Sequence, residues 1–278
     1  MTSHWLKDCG NRFDALRDQP LPEEVVDVVI IGAGISGAST AYQLAQHGLT
    51  ESVVLLEKNG ISSGATGNNG GFLCPGLSEP YWLAVEKFGE EATRQMYEFS
   101  AHCTWYVMEF ASQHKPECEL RMEGSVQLAS TEEELLEMRA FYERVHTLPY
   151  GRTIQWWDAA QCQQYTGSRT YFGGTFRRSA GLLWAAKVVY NLVEAAVKLG
   201  VKVHTHTAVR SIYRGNQDGT ISVLTDRGVI RTRKVVYCMN AWSRDLLPQL
   251  QDIIVPVRNQ VNKKKVVLFS CWCVVGTV

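Results

Sequence analysis

Val25, Val26, Val28, Val29, Ile30 and Ile31 form a β-branched run broken only by Asp27, and such a run predicts a strand covered on both faces. Gly32-Ala33-Gly34 ends it, and from Ile35 to Leu44 the pattern is helical. A second strand, Ser52-Val53-Val54-Leu55-Leu56, stops at Glu57. Residues 59–73 are too rich in glycine, serine and asparagine for a regular element. From Tyr81 to Gln113 the spacing turns helical, and Phe88, Met96, Phe99, Cys103, Trp105, Val107 and Phe110 are expected to form its buried face.

Leu120 to Ala129 reads as a strand, and Ser130 or Thr131 as the cap of a helix running to about His146. Asp158 is placed to cap a short helix that ends before Gly167. Residues 171–176 read as strand, and Ala185 to Leu199 as a helix closed by Gly200. A strand over 201–209 would put His204 and His206 on one face. An antiparallel ribbon follows (209–213, 220–225, 229–232), turned at Asp218-Gly219 and Arg227-Gly228, and then a separate buried strand from Lys234. Residues 1–24 suggest an extended lead-in, with Trp5 packing back on the body. This order predicts a discontinuous layout: a βαβ start, a mixed excursion from about 80 to 180, and a return to the first sheet.

The turn at Gly32, Gly34 and Gly37 has the spacing G-x-G-x-x-G. An ordinary βαβ turn can share it. The context favours a dinucleotide site, because a buried strand precedes, a helix follows, and Glu57 lies about 25 residues on, where a carboxylate accepts ribose hydroxyl protons.

Composition narrows the partners. Lys+Arg and Asp+Glu balance at 28 each, so no global field draws the chain to nucleic acid or an anionic membrane. The eight cysteines lack CxxC pairs, which points to reduced thiols in the cytoplasm rather than a disulfide or zinc framework. His204 and His206 have no evident third ligand, so no metal is expected. The N-terminus has no apolar signal region, and no run reaches the roughly 18 apolar residues of a spanning helix.

Three segments, 27–37 with Leu55-Leu56-Glu57-Lys58, Ser63 to Gly71, and Val235 to Ser243, together resemble the FAD-dependent amine oxidoreductases of the D-amino-acid oxidase type, the group of glycine and sarcosine oxidases and γ-glutamylputrescine oxidase. The resemblance implies an α/β fold: an FAD-binding, Rossmann-like, doubly wound domain with a βαβ start (1–80 and 181–250). An inserted α+β substrate domain (81–180 and 251–278) is incomplete at the C-terminus. It implies FAD as cofactor. Gly32, Gly34, Ile35, Ser36 and Gly37 would hold the diphosphate, and Glu57, with Lys58 beside it, the ribose. Ser63, Gly64, Ala65, Thr66, Asn69, Gly70 and Gly71 would line the diphosphate and isoalloxazine. Val209 would sit by the adenine with backbone hydrogen bonds, and Asn240, Ala241 and Trp242 would close over the cofactor. Two positions depart from the γ-glutamylputrescine oxidase-like pattern: Asn68, where arginine is usual, and Phe72, where histidine is frequent.

The implied reaction oxidises a C–N bond of a small amine or amino acid, with hydride passing to flavin N5. Tyr81, Trp82, Arg121 and Tyr171 lie in the excursion, but nothing in the sequence marks a catalytic residue among them. The family pattern would continue for about another hundred residues beyond Arg258, whereas Lys263-Lys264-Lys265 and an apolar stretch to Val278 end this chain. Truncation is the expected reading, against a short family member or a membrane tail, since the apolar stretch of about 13 residues is short for a span. A catalytically impaired flavin-binding fragment or regulatory isoform is therefore the alternative. A nicotinamide-linked dehydrogenase is disfavoured, having no role for the 63–71 loop or the Asn240 motif.

Overall fold

The computed structural model describes residues 3–7, 9, 13–49, 52–77, 81–113 and 115–257. In chain order the elements are α1 (His4–Lys7), β1 (Val26–Ile31), α2 (Ile35–Gln46), β2 (Val53–Leu56), β3 (Phe72–Leu73), α3 (Tyr81–Phe88), α4 (Glu90–Gln113), α5 (Lys115–Cys118), β4 (Ser125–Ala129), α6 (Glu132–Val145), β5 (Ile154–Asp158), α7 (Ala159–Thr166), β6 (Gly173–Arg177), β7 (Gly181–Leu182), α8 (Ala185–Lys198), β8 (Lys202–His204), β9 (Val209–Tyr213), β10 (Ile221–Thr225), β11 (Gly228–Tyr237) and α9 (Ser243–Leu246). They form two compact units, one from residues within 1–71, 115–119 and 184–257, the other from 72–113 and 120–183.

The first unit is built on a six-stranded sheet of order β8-β2-β1-β11-β10-β9. β8, β2, β1 and β11 run parallel, while β10 and β9 continue antiparallel. β1 lies inside the sheet with Val29 and Ile30 inaccessible, which is what an unbroken apolar strand requires. Val26, Val29, Ile31, Val54, Leu56, Val223 and Ile230 form one core cluster. The one acid in β1 is used at its entry: Asp27 N–H donates to Ser52 Oγ at 2.9 Å and Asp27 Oδ2 accepts from Ser52 N–H at 3.1 Å, tying the starts of β1 and β2. α8 presents Val188, Val189, Leu192, Val193 and Ala196 as its buried stripe and packs on α2.

Three expectations change here. The ribbon strand from Val229 and the strand from Lys234 are one ten-residue strand, β11. Its first half pairs with β10 and its second with β1, and the fully buried Thr232 pairs with both Ile221 and Val26, so no break is needed. The strand over 201–209 ends at His204. His206 turns left-handed at φ +49°, and Thr207 N–H donates to Glu57 O at 2.8 Å, so the two histidines share no strand face. The lead-in contains α1 and a 3₁₀ turn, Asp14–Arg17, instead of running extended throughout. Trp5 does pack back: Trp184 Nε1 donates to its carbonyl at 2.7 Å, and the two rings meet edge-on at 5.1 Å.

The second unit carries a three-stranded antiparallel sheet, β4-β6-β5, and a two-stranded pair, β3-β7. Tyr81, Tyr97, Val145, Tyr150 and Ile154 are its core cluster. Gly89, at φ +81°, splits the long helical stretch into α3 and α4. The aromatic stripe expected to be buried is not: Phe88, Phe99 and Trp105 are 53%, 70% and 48% exposed. α4 instead buries Thr93, Tyr97 and Ala111, a rotation held by Tyr97, whose ring meets those of Tyr81, Tyr150 and Phe141. The caps fall where expected. Thr131 Oγ1 accepts from Glu134 N–H at 3.1 Å, and Asp158 forms a capping box with Gln161 before left-handed Gly167. Among the described residues no helix is long and apolar enough to cross a membrane, and residues 266–278 lie outside them.

Candidate cofactor-binding site

Most residues singled out by the sequence lie in the first unit around the carboxyl ends of β1, β2 and β11, whereas Val209 opens β9 and pairs with Thr225 towards the amino end of β11. Gly32 N–H donates to Leu56 O at 2.8 Å and Cys238 N–H to Ile31 O at 2.8 Å, so the ladder holds three strand ends together at the turn. The glycines there are steric necessities. Gly32 sits at φ +102°, where an added Cβ would stand 2.6 Å from Cys238 O, and a Cβ on Gly37 would stand 1.8 Å from Gly32 O. Gly34 differs, because a Cβ there meets only Thr66 Oγ1, at 3.1 Å.

Glu57 closes the other side of the turn. Its Oε2 accepts from Ala33 N–H at 2.9 Å and its Oε1 from Asn59 N–H at 2.9 Å, with Ser63 Oγ donating to the same oxygen at 3.4 Å. Oε2, with one donor, keeps accepting capacity for a further hydroxyl, whereas Oε1 already accepts from two. The backbone of Glu57 is clamped as well, donating to His204 O at 2.9 Å and accepting from Thr207 N–H. Thr207 lies two residues before Val209, which opens β9 and packs on the core cluster.

The glycine- and serine-rich loop folds against the same turn. Ser62, at φ +61° and fully buried, donates its N–H to Ala33 O at 3.1 Å. Residues Ala65–Asn68 form a 3₁₀ turn that carries Thr66 to the start of α2, where its Oγ1 accepts from Ile35 N–H at 3.0 Å. Asn69 braces the loop with both ends of its amide: Nδ2 donates to Thr66 O at 2.6 Å and Oδ1 accepts from Gly71 N–H at 2.8 Å. Asn68, where arginine was noted as usual, also bonds locally, to Gly64 O at 2.7 Å. The Ser36 and Gly37 N–H groups of the first turn of α2 donate to no described residue. Beyond β11, Asn240 is left-handed at φ +51° and opens the 3₁₀ turn Asn240–Trp242, with Trp242 exposed. Lys58 is exposed, and its side chain bonds to none of these residues.

Beside Glu57, His204 is only 1% exposed, and neither ring nitrogen has a hydrogen-bond partner among the described residues. Burial, with Arg227 and Lys202 nearby, holds its pKa below the ordinary 6.5, so the ring is neutral near pH 7. Burial likewise pushes the Cys238 thiol up. Among the described residues no group of three or more His, Cys, Asp or Glu could hold a metal ion.

The arrangement fits a dinucleotide: free N–H groups and the positive end of α2 for a diphosphate, an open flank at Gly34, and a carboxylate one bond away for a ribose. Sequence reasoning missed Ser62, Thr207 and Cys238. Each acts through a backbone contact made across long sequence separation, and no side-chain signal announces it.

Residues 27–264 match the family described as FAD dependent oxidoreductase, DAO. The chain belongs to that family. FAD is accordingly the cofactor of the DAO family to which these residues belong. Among the curated relatives, the probable oxidoreductase OrdL of Haemophilus influenzae is 27% identical over 241 residues, covering 87% of this chain and 53% of its own length. Gamma-glutamylputrescine oxidoreductase of Escherichia coli is 26% identical, covering 94% of this chain and 59% of its own. Glycine oxidase from Geobacillus kaustophilus shares the fold, with a TM-score of 0.63 at 22% identity over 81% of this chain and 58% of that one. The DAO-family chain thus spans about half the length of the relatives it matches.

Proposed function

We propose that residues 1–80 and 181–250 hold FAD in an oxidoreductase that oxidises the C–N bond of a small amine or amino acid, and that residues 81–180 and 251–278 belong to its substrate-facing part. The observation that carries the reading is the bond from Ala33 N–H to Glu57 Oε2, which unites the glycine turn and the acidic end of β2 in one site. When bound, the flavin supplies the hydride acceptor, N5. The chain's residues bind and orient it. Gly34, Ser36 and Gly37 meet the diphosphate through the backbone at the start of α2, while the Ile35 N–H, expected to join them, is held by Thr66 Oγ1. Glu57 accepts from the ribose hydroxyls. The loop from Ser63 to Gly71 runs along the diphosphate towards the ring, the backbone at Val209 serves the adenine, and Asn240 to Trp242 cover the cofactor. The substrate reacts as a neutral amine, so no acid–base pair is assigned. Six free thiols among the described cysteines support a reducing, cytoplasmic setting.

A second reading is flavin binding without turnover. One preparation separates the two. The purified 278-residue chain is expected to carry flavin absorbance near one equivalent, and a chain that stays colourless after FAD is added overturns both. Anaerobic bleaching by added amines or amino acids supports turnover. Persistent yellow colour rejects turnover by these residues alone and leaves flavin binding standing.

A further inference from the structure

The 3₁₀ turn Ala65–Asn68, which carries Thr66 to the Ile35 N–H, rests on the chain's own lead-in. Gly67, buried in that turn, meets both Ser62 O and the Leu6 side chain of α1: an added Cβ would stand 2.3 Å from the first and 2.7 Å from Leu6 Cδ2. Only a glycine lets the loop and α1 approach so closely.

The lead-in is fixed in turn by the sheet and by α8. Trp5 O accepts from Trp184 Nε1 and also from the Cys9 thiol, at 3.1 Å. Cys9, Trp184 and Ala186 form a buried cluster on which Trp5, Leu6 and Tyr190 pack. Further along, the Phe13 ring lies 5.3 Å from that of Tyr190, and Thr205 Oγ1 donates to Phe13 O at 3.3 Å. Arg227 Nη2 donates to Gln19 O at 2.7 Å, while its Nη1 donates to Thr207 Oγ1 at 3.0 Å. Thr207 is the residue whose N–H holds Glu57 O. The lead-in thus supports two parts of the cofactor site, the loop at Gly67 directly and the backbone of Glu57 through Arg227. All of it lies ahead of residue 27, where the family match begins, and none of it belongs to the cofactor-binding set.

We propose that the lead-in is a strap that holds the loop from Ser62 to Gly71 in the conformation that receives FAD, with Leu6 as a positioning residue acting through Gly67 on the Thr66–Ile35 contact. The inference rests on the cofactor reading above. A loop of glycine, serine and asparagine loses much conformational entropy on ordering, and a ligand that needs the ordered form binds in proportion to that form's population. By linkage, FAD must tighten the strap as much as the strap tightens FAD.

Leu6→Ala in the full 278-residue chain is expected to weaken FAD about three- to tenfold in a flavin titration. Leu6→Met keeps the contact and is expected to stay within about twofold of the parent. Hydrogen exchange supplies a readout that a merely structural contact would not move. The Leu6 and Cys9 amides, bonded to Ser3 O and Leu6 O, are expected to exchange about three- to tenfold more slowly once FAD is bound, and this gain is expected to vanish in Leu6→Ala saturated with FAD. Trp184→Phe removes the donor to Trp5 O while keeping a ring, and is expected to weaken FAD about two- to fivefold, which keeps the test decisive if Leu6→Ala does not fold. Unchanged affinity in Leu6→Ala, or in Trp184→Phe where Leu6→Ala does not fold, overturns the strap and leaves the cofactor site standing. So does exchange of the α1 amides that is indifferent to FAD, or a Leu6→Met as weak as Leu6→Ala. A parent chain that takes up no FAD overturns the cofactor reading, and the strap with it.

Discussion

Replacing Gly37 with alanine tests whether the glycine turn is a steric device before it is a ligand site. The new Cβ would lie 1.8 Å from Gly32 O, against an ordinary carbon–oxygen approach of about 3.3–3.6 Å, so α2 must retreat from β1 by about 1.5 Å. Gly32 cannot yield instead, because its own N–H is bonded to Leu56 O and Cys238 lies against it. Overpacking of this kind, with backbone on both sides, is expected to cost about 3 kcal/mol or more. In a chain of this size that lowers the melting temperature by about 6–12 °C. Gly34→Ala is the internal control. Its Cβ meets only the Thr66 hydroxyl at 3.1 Å, at φ −80°, so the fold is expected to lose less than about 1 kcal/mol. Flavin affinity should fall, because the methyl stands on the open flank. Thermal denaturation of the apo-proteins, followed by flavin titration of whatever remains folded, measures both. The reasoning is refuted if Gly37→Ala melts within a degree of the parent, or if Gly34→Ala loses as much stability as Gly37→Ala.

Glu57→Ala is expected to weaken FAD by about 1–3 kcal/mol through loss of charge-assisted hydrogen bonds, and unchanged affinity in a flavin titration would remove Glu57 from the site. His204 carries a pH signature. Its folded pKa lies below the ordinary 6.5, so the unfolded chain binds the extra proton, and stability declines as pH falls below 6.5 towards the folded value. His204→Leu should flatten that part of the stability–pH curve, measured by urea unfolding, and an unchanged slope would show that the ring is not held neutral. Asp158→Ala removes one half of the capping box on α7 and is expected to cost about 1 kcal/mol. A urea midpoint that does not move would mean that the cap contributes nothing to the global transition.

What the sequence by itself determined was local. A β-branched run followed by three spaced glycines specifies strand, turn and helix start, because the steric demand lies in neighbouring residues: β1 and α2 lie where the pattern puts them, and the Gly37 contact is with Gly32, five residues away. Thr131 and Asp158 were legible for the same reason, since a cap acts over three residues. Glu57 was legible through its distance from the turn, although its bond to Ala33 was not. Only the tertiary structure decided which face of α4 is covered, since Phe99 and Tyr97 are equally apolar to a pattern and the rings of Tyr81 and Tyr150 select Tyr97. It also joined two expected strands into β11, whose halves have partners some ten and two hundred residues away. It brought Thr207, Ser62 and Cys238 to the glycine turn through backbone groups that every residue type possesses, so no pattern of side chains could mark them.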